Sequence, residues 1–179
     1  MEIKGYKAFN KDMTNMYGKK FEVGKTYSVD GEIKYGTTGN GYHFASRLED
    51  TLRYVNALTE EIKIAEVTAT GTIKESFDEY NGYYEVYSAE TIRIDRVLTR
   101  KEIIEEYLNM SSDIRLERFL KSFKLNKVEI ELFKEKCKHI PHLIKVIKYY
   151  QEDDKEVFER EYKSNGIYPK ILLKKQVRK

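Results

Sequence analysis

The first hundred residues alternate between apolar and polar positions with the period of two that is typical of β-strands. The clearest run is residues 62–75, where small and β-branched residues recur at every second position. Shorter runs of strand-forming residues, several of them bounded by glycine or asparagine, predict further strands. These predicted strands are residues 3–9, 19–29, 41–45, 83–89 after the Asn81-Gly82 turn, and 91–98, with a turn and a short strand at 30–36.

One helix is predicted inside this strand-rich half. Ser46 and Glu49 have the spacing of a capping box, in which each side chain accepts a hydrogen bond from the other residue's main chain. Leu48, Leu52 and Val55 then fall on one helical face. This segment is expected to begin at Ser46 and to bury that face.

After about residue 99 the apolar residues recur three or four positions apart, which is the spacing of α-helices. Thr99 with Glu102 and Asn126 with Glu129 repeat the capping-box spacing, and Pro141 is suited to a first helical turn. The pattern predicts helices at about residues 100–110, 113–124, 126–138, 142–151 and 154–164.

Together these patterns predict an α+β fold with a mixed or antiparallel sheet and one helix in the N-terminal half, followed by a packed bundle of short helices. The expected organisation is a sheet domain at residues 1–98 and a helical region at 99–166 docked on it. A basic tail follows at residues 167–179. The helices are short, so we expect them to need packing partners.

Composition narrows the class of protein. Charged residues make up 35% and apolar residues 40% of the chain, which is typical of a folded soluble protein. No apolar run is long enough to cross a bilayer and no signal peptide is evident, so we expect no membrane partner and a cytoplasmic location. The single cysteine, Cys137, cannot form an internal disulfide.

The net charge of +3 is small and does not indicate a large nucleic-acid surface. The tail at residues 170–179 is basic and lacks acidic residues, so nucleic acid remains an alternative partner there. No metal site is predicted, because Pro141 interrupts the spacing of Glu135, His139 and His142 on a helix.

The stretch GTTGNGYHFAS at residues 36–46 is the main candidate for chemistry. Gly39 and Gly41 lack a Cβ, so main-chain amides there could approach a phosphate, or the glycines could simply form a turn. His43 lies on the strand face opposite Tyr42 and Phe44. It is a candidate base or hydrogen-bond donor, or else a histidine bound to a neighbouring main chain.

Several segments of the first half resemble an uncharacterised domain family that is common in phage and prophage genomes. The resemblance covers roughly residues 3–98 and is carried by GYKAFNKDMT, KKFEVGKTYSVDGEIK, GYHFASRLEDTLRYV and AEVTATGTIKE. It implies a phage-associated protein, acting in the host cytoplasm if phage-encoded, and a role in host takeover or in counteracting defence.

A second, fold-level resemblance is to ADP-ribosyltransferases, through the order of the opening strand, a glycine-led strand with its helix, and a late strand with glutamate. In that family the first strand offers Arg or His to NAD, where this chain has Tyr6 and Lys7. The resemblance implies that Lys7 and His43 flank NAD and that Tyr42 or His43 matches the second-strand position, with the loop at Gly39 and Gly41 as the candidate for its pyrophosphate. It further implies that His43 and a late-strand glutamate, Glu90 or Glu85, are catalytic.

Tyrosines crowd around the hairpin signal Asn81-Gly82. Aromatic side chains on a hairpin suit protein recognition, although they could equally pack against the helices. The candidate partner-binding residues are Tyr80, Tyr83 and Tyr87.

The favoured hypothesis is a non-catalytic, phage-type binding protein that inhibits or redirects a host or bacterial protein complex, such as a defence system, and needs no cofactor. The first alternative is an ADP-ribosyltransferase-like enzyme or a degenerate NAD-binding protein. The second alternative is a nucleic-acid-binding module.

Overall fold

The computed structural model describes residues 2–34, 39–77 and 85–152. The predicted α+β class is confirmed: an antiparallel sheet occupies the first half, and short helices follow. The strands are β1 (Glu2–Asn10), β2 (Thr26–Ser28), β3 (Tyr42–Ala45), β4 (Ile62–Phe77) and β5 (Glu85–Val97). The helices are α1 (Leu48–Thr51), α2 (Arg100–Leu108), α3 (Asp113–Ser122), α4 (Lys127–Cys137) and α5 (Pro141–Gln151).

Four of the five strands pair in a closed ring. The order β2-β5-β3-β1-β4 is completed by a further pairing of β4 with β5, so that β1, β4, β5 and β3 surround one interior. The β1–β3 pairing is narrow, with Tyr6 opposite Ala45, whereas β1 and β4 pair from Glu2–Thr70 to Asn10–Ile62. The ring therefore has one weak seam, between β1 and β3.

The interior of the ring is filled by side chains that alternate along the strands, as the hydrophobic pattern predicts. Aromatic residues from the connections and from β3 fill one part of it, and small or β-branched residues of β4 and β5 fill the rest. This core consists of Phe9, Met13, Phe21, Tyr42, Phe44, Ala65, Val67, Ala69, Ala89, Ile92 and Ile94.

The capping predictions for the later helices are confirmed. Thr99 and Glu102 form a capping box at the start of α2, as do Asn126 and Glu129 at the start of α4. Pro141 is the first residue of α5. The helix predicted at 154–164 lies outside the described residues.

The capping box predicted at Ser46 and Glu49 is wrong. Helix α1 follows Arg47, which makes no side-chain cap, and after one turn it passes into a 3₁₀ turn at Leu52–Tyr54. Ser46 Oγ instead donates to a carboxylate oxygen of Glu85 at 2.5 Å. A partner far along the chain thus takes the place of the local cap.

Two strand predictions are also wrong in extent. Residues 19–29 contain only the three-residue strand β2, because the chain turns at Gly24, where Lys25 N donates to Glu22 O at 3.2 Å. Residues 30–34, predicted to begin a strand, are irregular. The boundaries of β1, β3 and β4 lie within two residues of the prediction, whereas residues 85–97 form one strand, β5, where two strands were predicted at 83–89 and 91–98.

The chain divides into two compact units, the first ending at Lys124 and the second beginning at Leu125. The first contains the sheet with α1, α2 and α3, and in it Lys124 N donates to Ala57 O at 2.9 Å. In the second, Leu125 N donates to the Gln151 side chain at 2.9 Å, which connects the start of α4 to the end of α5. The division predicted at residues 98 and 99 stays a prediction.

Within the described ranges, no helix combines the length and the hydropathy that crossing a membrane requires.

Candidate functional site

Lys7 and His43 meet at the seam between β1 and β3. Lys7 is only 8% exposed, and its side chain points into the interior of the ring of strands. Its ammonium lies 5.7 Å from the centre of the aromatic ring of Phe9. It donates to the main-chain oxygen of His43 at 2.6 Å. Burial lowers the pKa of Lys7 to about 8. The two residues are therefore in contact, but through the His43 carbonyl.

The imidazole of His43 lies parallel to the Tyr54 ring, with 5.9 Å between ring centres. Burial, together with the positive charges of Lys7 and Arg53, lowers the pKa of His43 to about 4. At neutral pH the ring is uncharged and is a weak base.

The glycine stretch packs against β5. Gly41 has a φ of 123°, and a Cβ there would lie 3.1 Å from Ala89 O and still closer to the Ser88 side chain. Ser88 Oγ also donates to Asn40 O at 3.1 Å. These contacts are enough to explain why residue 41 is a glycine, and no bound ligand is needed for that explanation. The phosphate-binding role of Gly39 and Gly41 stays a prediction.

Glu90 and His43 lie toward opposite edges of β5. The Glu90 carboxylate accepts a hydrogen bond from Thr72 N at 2.9 Å, on the side of β4, and hydrogen bonds from Thr72 lower its pKa. His43 belongs to β3, which pairs with the other edge of β5. The alternative glutamate, Glu85, binds Arg47 at 2.8 Å.

The tyrosine candidates differ in their environments. Tyr42 is buried inside the ring of strands. The aromatic ring of Tyr87 stacks on that of Phe44, with 5.1 Å between their centres. Tyr80 and Tyr83 lie outside the described residues, as does the basic tail at 170–179.

A tight hairpin at residues 14–20, here called the Tyr17 hairpin, was not predicted from the sequence. Thr14 and Lys20 form an antiparallel bridge at its base. Gly18 N donates to Asn15 O at 3.0 Å, and Gly18 has a φ of 79° that only glycine adopts readily. The Asn15 side-chain oxygen accepts from Tyr17 N at 3.0 Å and from Lys19 N at 2.9 Å. The turn is therefore fixed by its own hydrogen bonds.

The two central residues of this turn are apolar and exposed. Met16 is 63% exposed and Tyr17 is 65% exposed. The base of the hairpin is anchored to the core. Phe21 is buried inside the ring of strands, and its main-chain N–H donates to Met13 O at 2.9 Å. Two large apolar side chains are thus presented to solvent on a rigid support.

Lys19 ties the hairpin to the ring of strands. Its ammonium donates to the Tyr42 hydroxyl at 2.5 Å and lies 4.6 Å from the centre of the Tyr42 ring. The rings of Tyr27 and Phe21 are 5.4 Å and 5.7 Å from the same ammonium. Such distances are those of cation–π contacts.

A second polar cluster, also missed from the sequence, is built around the buried side chain of Glu49. Its carboxylate accepts from Arg115 Nε at 2.5 Å and from the Tyr107 hydroxyl at 2.7 Å. Burial opposes ionisation, but these hydrogen bonds outweigh it and lower the pKa of Glu49. In contrast, burial raises the pKa of the neighbouring Asp50, which contacts Arg118 at 3.3 Å. Because its members satisfy one another, this cluster has the character of a structural network.

One sequence signal could have indicated the Tyr17 hairpin: Asn15 and Gly18 are three residues apart, and Asn at the first position and Gly at the last are favoured in a type I turn. No local signal reveals the cluster at Glu49, because Arg115 is distant in the chain.

Comparison with known proteins gives a family and no activity. No curated protein and no solved structure matches the chain. A match to the family described as "Domain of unknown function (DUF7666)" covers residues 3–106, which include most of α2 and the ring of strands except Glu2. The chain therefore belongs to this DUF7666 family of unknown function.

Proposed function

We propose that the protein is a non-catalytic binding protein that recognises another protein through the Tyr17 hairpin. The observation that carries this proposal is the exposure of Met16 and Tyr17, 63% and 65%, at the tip of a hydrogen-bonded turn. Exposed apolar side chains are common on protein surfaces, but a pair on a turn fixed by its own hydrogen bonds loses little main-chain entropy on binding.

Burial of such a pair is enough to support recognition. Removing one large apolar side chain from water contributes about 1.5–3 kcal/mol. Tyrosine is enriched among residues that dominate binding energy, and methionine adapts to irregular apolar pockets. The contact between Lys19 and Tyr42 also holds the hairpin in place, so its main chain needs little further ordering when a partner binds.

The enzyme alternative receives less support from the arrangement of its candidate residues. His43 has a pKa of about 4. Its strand, β3, pairs with one edge of β5, whereas the Glu90 carboxylate binds Thr72 of β4, which pairs with the other edge. If NAD bound at about 100 times its dissociation constant, it would stabilise the fold by about 2.7 kcal/mol. Thermal unfolding with millimolar NAD tests this alternative directly, and a clear rise in Tm would favour it over our proposal.

The resemblance to phage and prophage domains favours a host protein as the partner, and binding would then inhibit or redirect that protein. This part of the proposal rests on the resemblance, and the hairpin supplies the contact surface.

The test begins with the immobilised chain and a lysate of the cells in which it acts. Each captured protein is purified and titrated calorimetrically against three forms of the chain: wild type, Met16→Ser/Tyr17→Ser, and Val128→Ser. Val128 is a matched control because it is 71% exposed and lies in α4, within the second unit.

We expect at least one captured protein to bind wild type directly, and the hairpin variant to raise its Kd at least about 30-fold, a loss of about 2 kcal/mol. Val128→Ser should change Kd less than about twofold. The proposal is wrong if the direct binders bind the hairpin variant as tightly as wild type, or if no captured protein binds directly.

A further inference from the structure

A second turn with an exposed apolar residue follows the Tyr17 hairpin. It spans residues 22–25 and is here called the Val23 turn. Lys25 N donates to Glu22 O at 3.2 Å and closes the turn, and Ile94 N donates to Lys25 O at 3.1 Å and joins it to β5. A salt bridge of 2.7 Å connects the Lys25 and Glu22 side chains. Val23 is 53% exposed, so this turn also presents an apolar side chain on a fixed main chain.

Exposed apolar residues are concentrated in these two turns. In the described ranges six large apolar side chains are exposed, and three of them, Met16, Tyr17 and Val23, fall within eight consecutive residues. Between the two turns the chain returns to the core at Phe21. Tyr17 and Val23 are six residues apart, so their Cα atoms are separated by at most about 22 Å. A partner's contact patch of about 800 Å², roughly 30 Å across, can therefore cover both turns.

Lys20 lies between the two turns in the chain and is exposed. Among the described residues, no carboxylate forms a salt bridge with it. The acidic residues on either side have other partners: Asp12 accepts from Thr14 N at 3.1 Å and from Thr14 Oγ1 at 2.7 Å, and Glu22 is paired with Lys25. Hydrogen bonds from Thr14, and to a smaller extent the charge of Lys20, lower the pKa of Asp12. The Lys20 ammonium is therefore available to a carboxylate of a partner.

We propose that the two turns and Lys20 together bind an acidic and apolar segment of a partner protein. Apolar side chains of that segment lie against Met16, Tyr17 and Val23, and a carboxylate between them pairs with Lys20. This inference rests on the proposed function, to which it adds Val23 as a second contact and a carboxylate as the chemistry that selects the partner.

Charge complementarity decides the kind of partner. A purely apolar partner would remove water from the Lys20 ammonium and replace it with nothing, whereas a carboxylate opposite Lys20 supplies the missing opposite charge. An anionic membrane is a poorer match, because segments that bind such membranes carry clusters of about four to eight lysines or arginines. Residues 14–25 contain three lysines, of which Lys25 is paired with Glu22 and Lys19 is held against an aromatic ring.

The probes are two end-blocked hexapeptides with a leucine–tyrosine pair at each end; one has two glutamates in the middle and the other has two lysines. They are titrated at low ionic strength against the full chain, and the methyl resonance of Met16 is followed by NMR. The variants are Val23→Ser and Lys20→Glu. Their matched controls are Val128→Ser, at an exposed valine of α4, and Lys4→Glu, at an exposed lysine of β1.

We expect the glutamate peptide to bind wild type with a Kd on the order of 1 mM, at least about fivefold more tightly than the lysine peptide. Lys20→Glu should reverse this preference, and Val23→Ser should weaken binding of the glutamate peptide about fivefold. Both control variants should stay within about twofold of wild type. If circular dichroism shows that Lys20→Glu is unfolded, Lys20→Gln replaces it and should abolish the preference.

Equal binding of the two peptides to wild type would overturn the inference, as would a preference that persists in the Lys20 variant or undiminished binding by Val23→Ser. Wild-type binding to vesicles of phosphatidylcholine and phosphatidylserine in equal amounts, weakened by Val23→Ser, would assign this surface to a membrane and overturn the inference too. The proposed function fails separately, through the Met16→Ser/Tyr17→Ser variant in the titration of captured proteins. Loss of a captured protein by that variant, with no preference between the peptides, would overturn this inference alone.

Discussion

Replacement of Lys7 by methionine should stabilise the protein at neutral pH and destabilise it at high pH. Lys7 is a buried ammonium whose pKa falls from 10.5 to about 8 on folding, because burial disfavours the charged form. Methionine has a similar length and no charge to desolvate. The variant Lys7→Met therefore removes the free-energy cost of burying a charge among the aromatic side chains inside the ring of strands.

The magnitude follows from the shift in pKa. A fall from 10.5 to about 8 corresponds to about 3 kcal/mol against the charged form at pH 7. The variant also leaves the His43 carbonyl without its ammonium donor, a loss of about 1–2 kcal/mol. The expected net gain for Lys7→Met at pH 7 is therefore about 1–2 kcal/mol.

The sign of the pH dependence follows from proton linkage. Between pH 8 and 10.5 the unfolded chain binds a proton at Lys7 that the folded chain has released, so wild-type stability rises relative to the variant. Above pH 10.5 both states hold a neutral amine, and the lost hydrogen bond leaves Lys7→Met less stable than wild type by about 1–2 kcal/mol.

Urea unfolding of the full chain, followed by far-ultraviolet circular dichroism at pH 7 and pH 10.5, measures both differences. Lys4→Met is the matched control, because Lys4 lies on the same strand and is exposed; it should change stability by less than about 0.5 kcal/mol at either pH. A difference between Lys7→Met and wild type that does not change sign between the two pH values would refute the reasoning.

Three further predictions concern acid sensitivity, the buried cluster and the helix caps. Burial lowers the pKa of His43 to about 4, so wild type should lose about 1–2 kcal/mol more than His43→Gln between pH 6.5 and 4 in urea titrations, after allowance for partial exposure. Arg115→Met leaves the Glu49 carboxylate buried without its cation and should cost about 3–5 kcal/mol, much of it recovered in Arg115→Met/Glu49→Leu. Thr99→Ala removes the N-cap of α2 and should lower the unfolding free energy by about 1 kcal/mol, with no loss expected from a conservative Thr99→Ser.

The elements that could be predicted from the sequence are those whose determinants are local. The alternation along β4 specifies a strand with one buried face, and the pairs Thr99–Glu102 and Asn126–Glu129 cap their own helices. In each case the residues that form the pattern lie within a few positions of one another, so spacing alone carries the information.

The errors arise where a distant residue offers a better partner. Ser46 and Glu49 have capping-box spacing, but Glu85 takes the Ser46 hydroxyl while Arg115 and Tyr107 take the Glu49 carboxylate. A buried charge-assisted hydrogen bond is stronger than a cap at the end of a one-turn helix. The sequence alone does not show which distant residues the fold brings close to Ser46 and Glu49.

The candidate site was only partly predictable for a similar reason. The contact of Lys7 with His43 depends on the pairing of β1 beside β3, which the alternation pattern does not specify. Met16 and Tyr17 have the composition of core residues, and apart from the turn-favouring Asn15 and Gly18 nothing in the sequence indicates that they face solvent.

The closed ring of strands has a consequence for the order of folding. The register of β4 with β5 includes Phe77 opposite Glu85, which are close in sequence, whereas β1 places Glu2 opposite Thr70. Closing short loops costs less entropy than closing long ones, so the β4–β5 ribbon should form first and the N-terminal strand should be captured last. Mutations in β4, such as Val67→Ala, should then slow folding, whereas Phe9→Leu in β1 should mainly speed unfolding; the opposite partition in chevron analysis would exclude this order. During synthesis, β1 must therefore wait, with its apolar residues exposed, until the ribbon that receives it has been made.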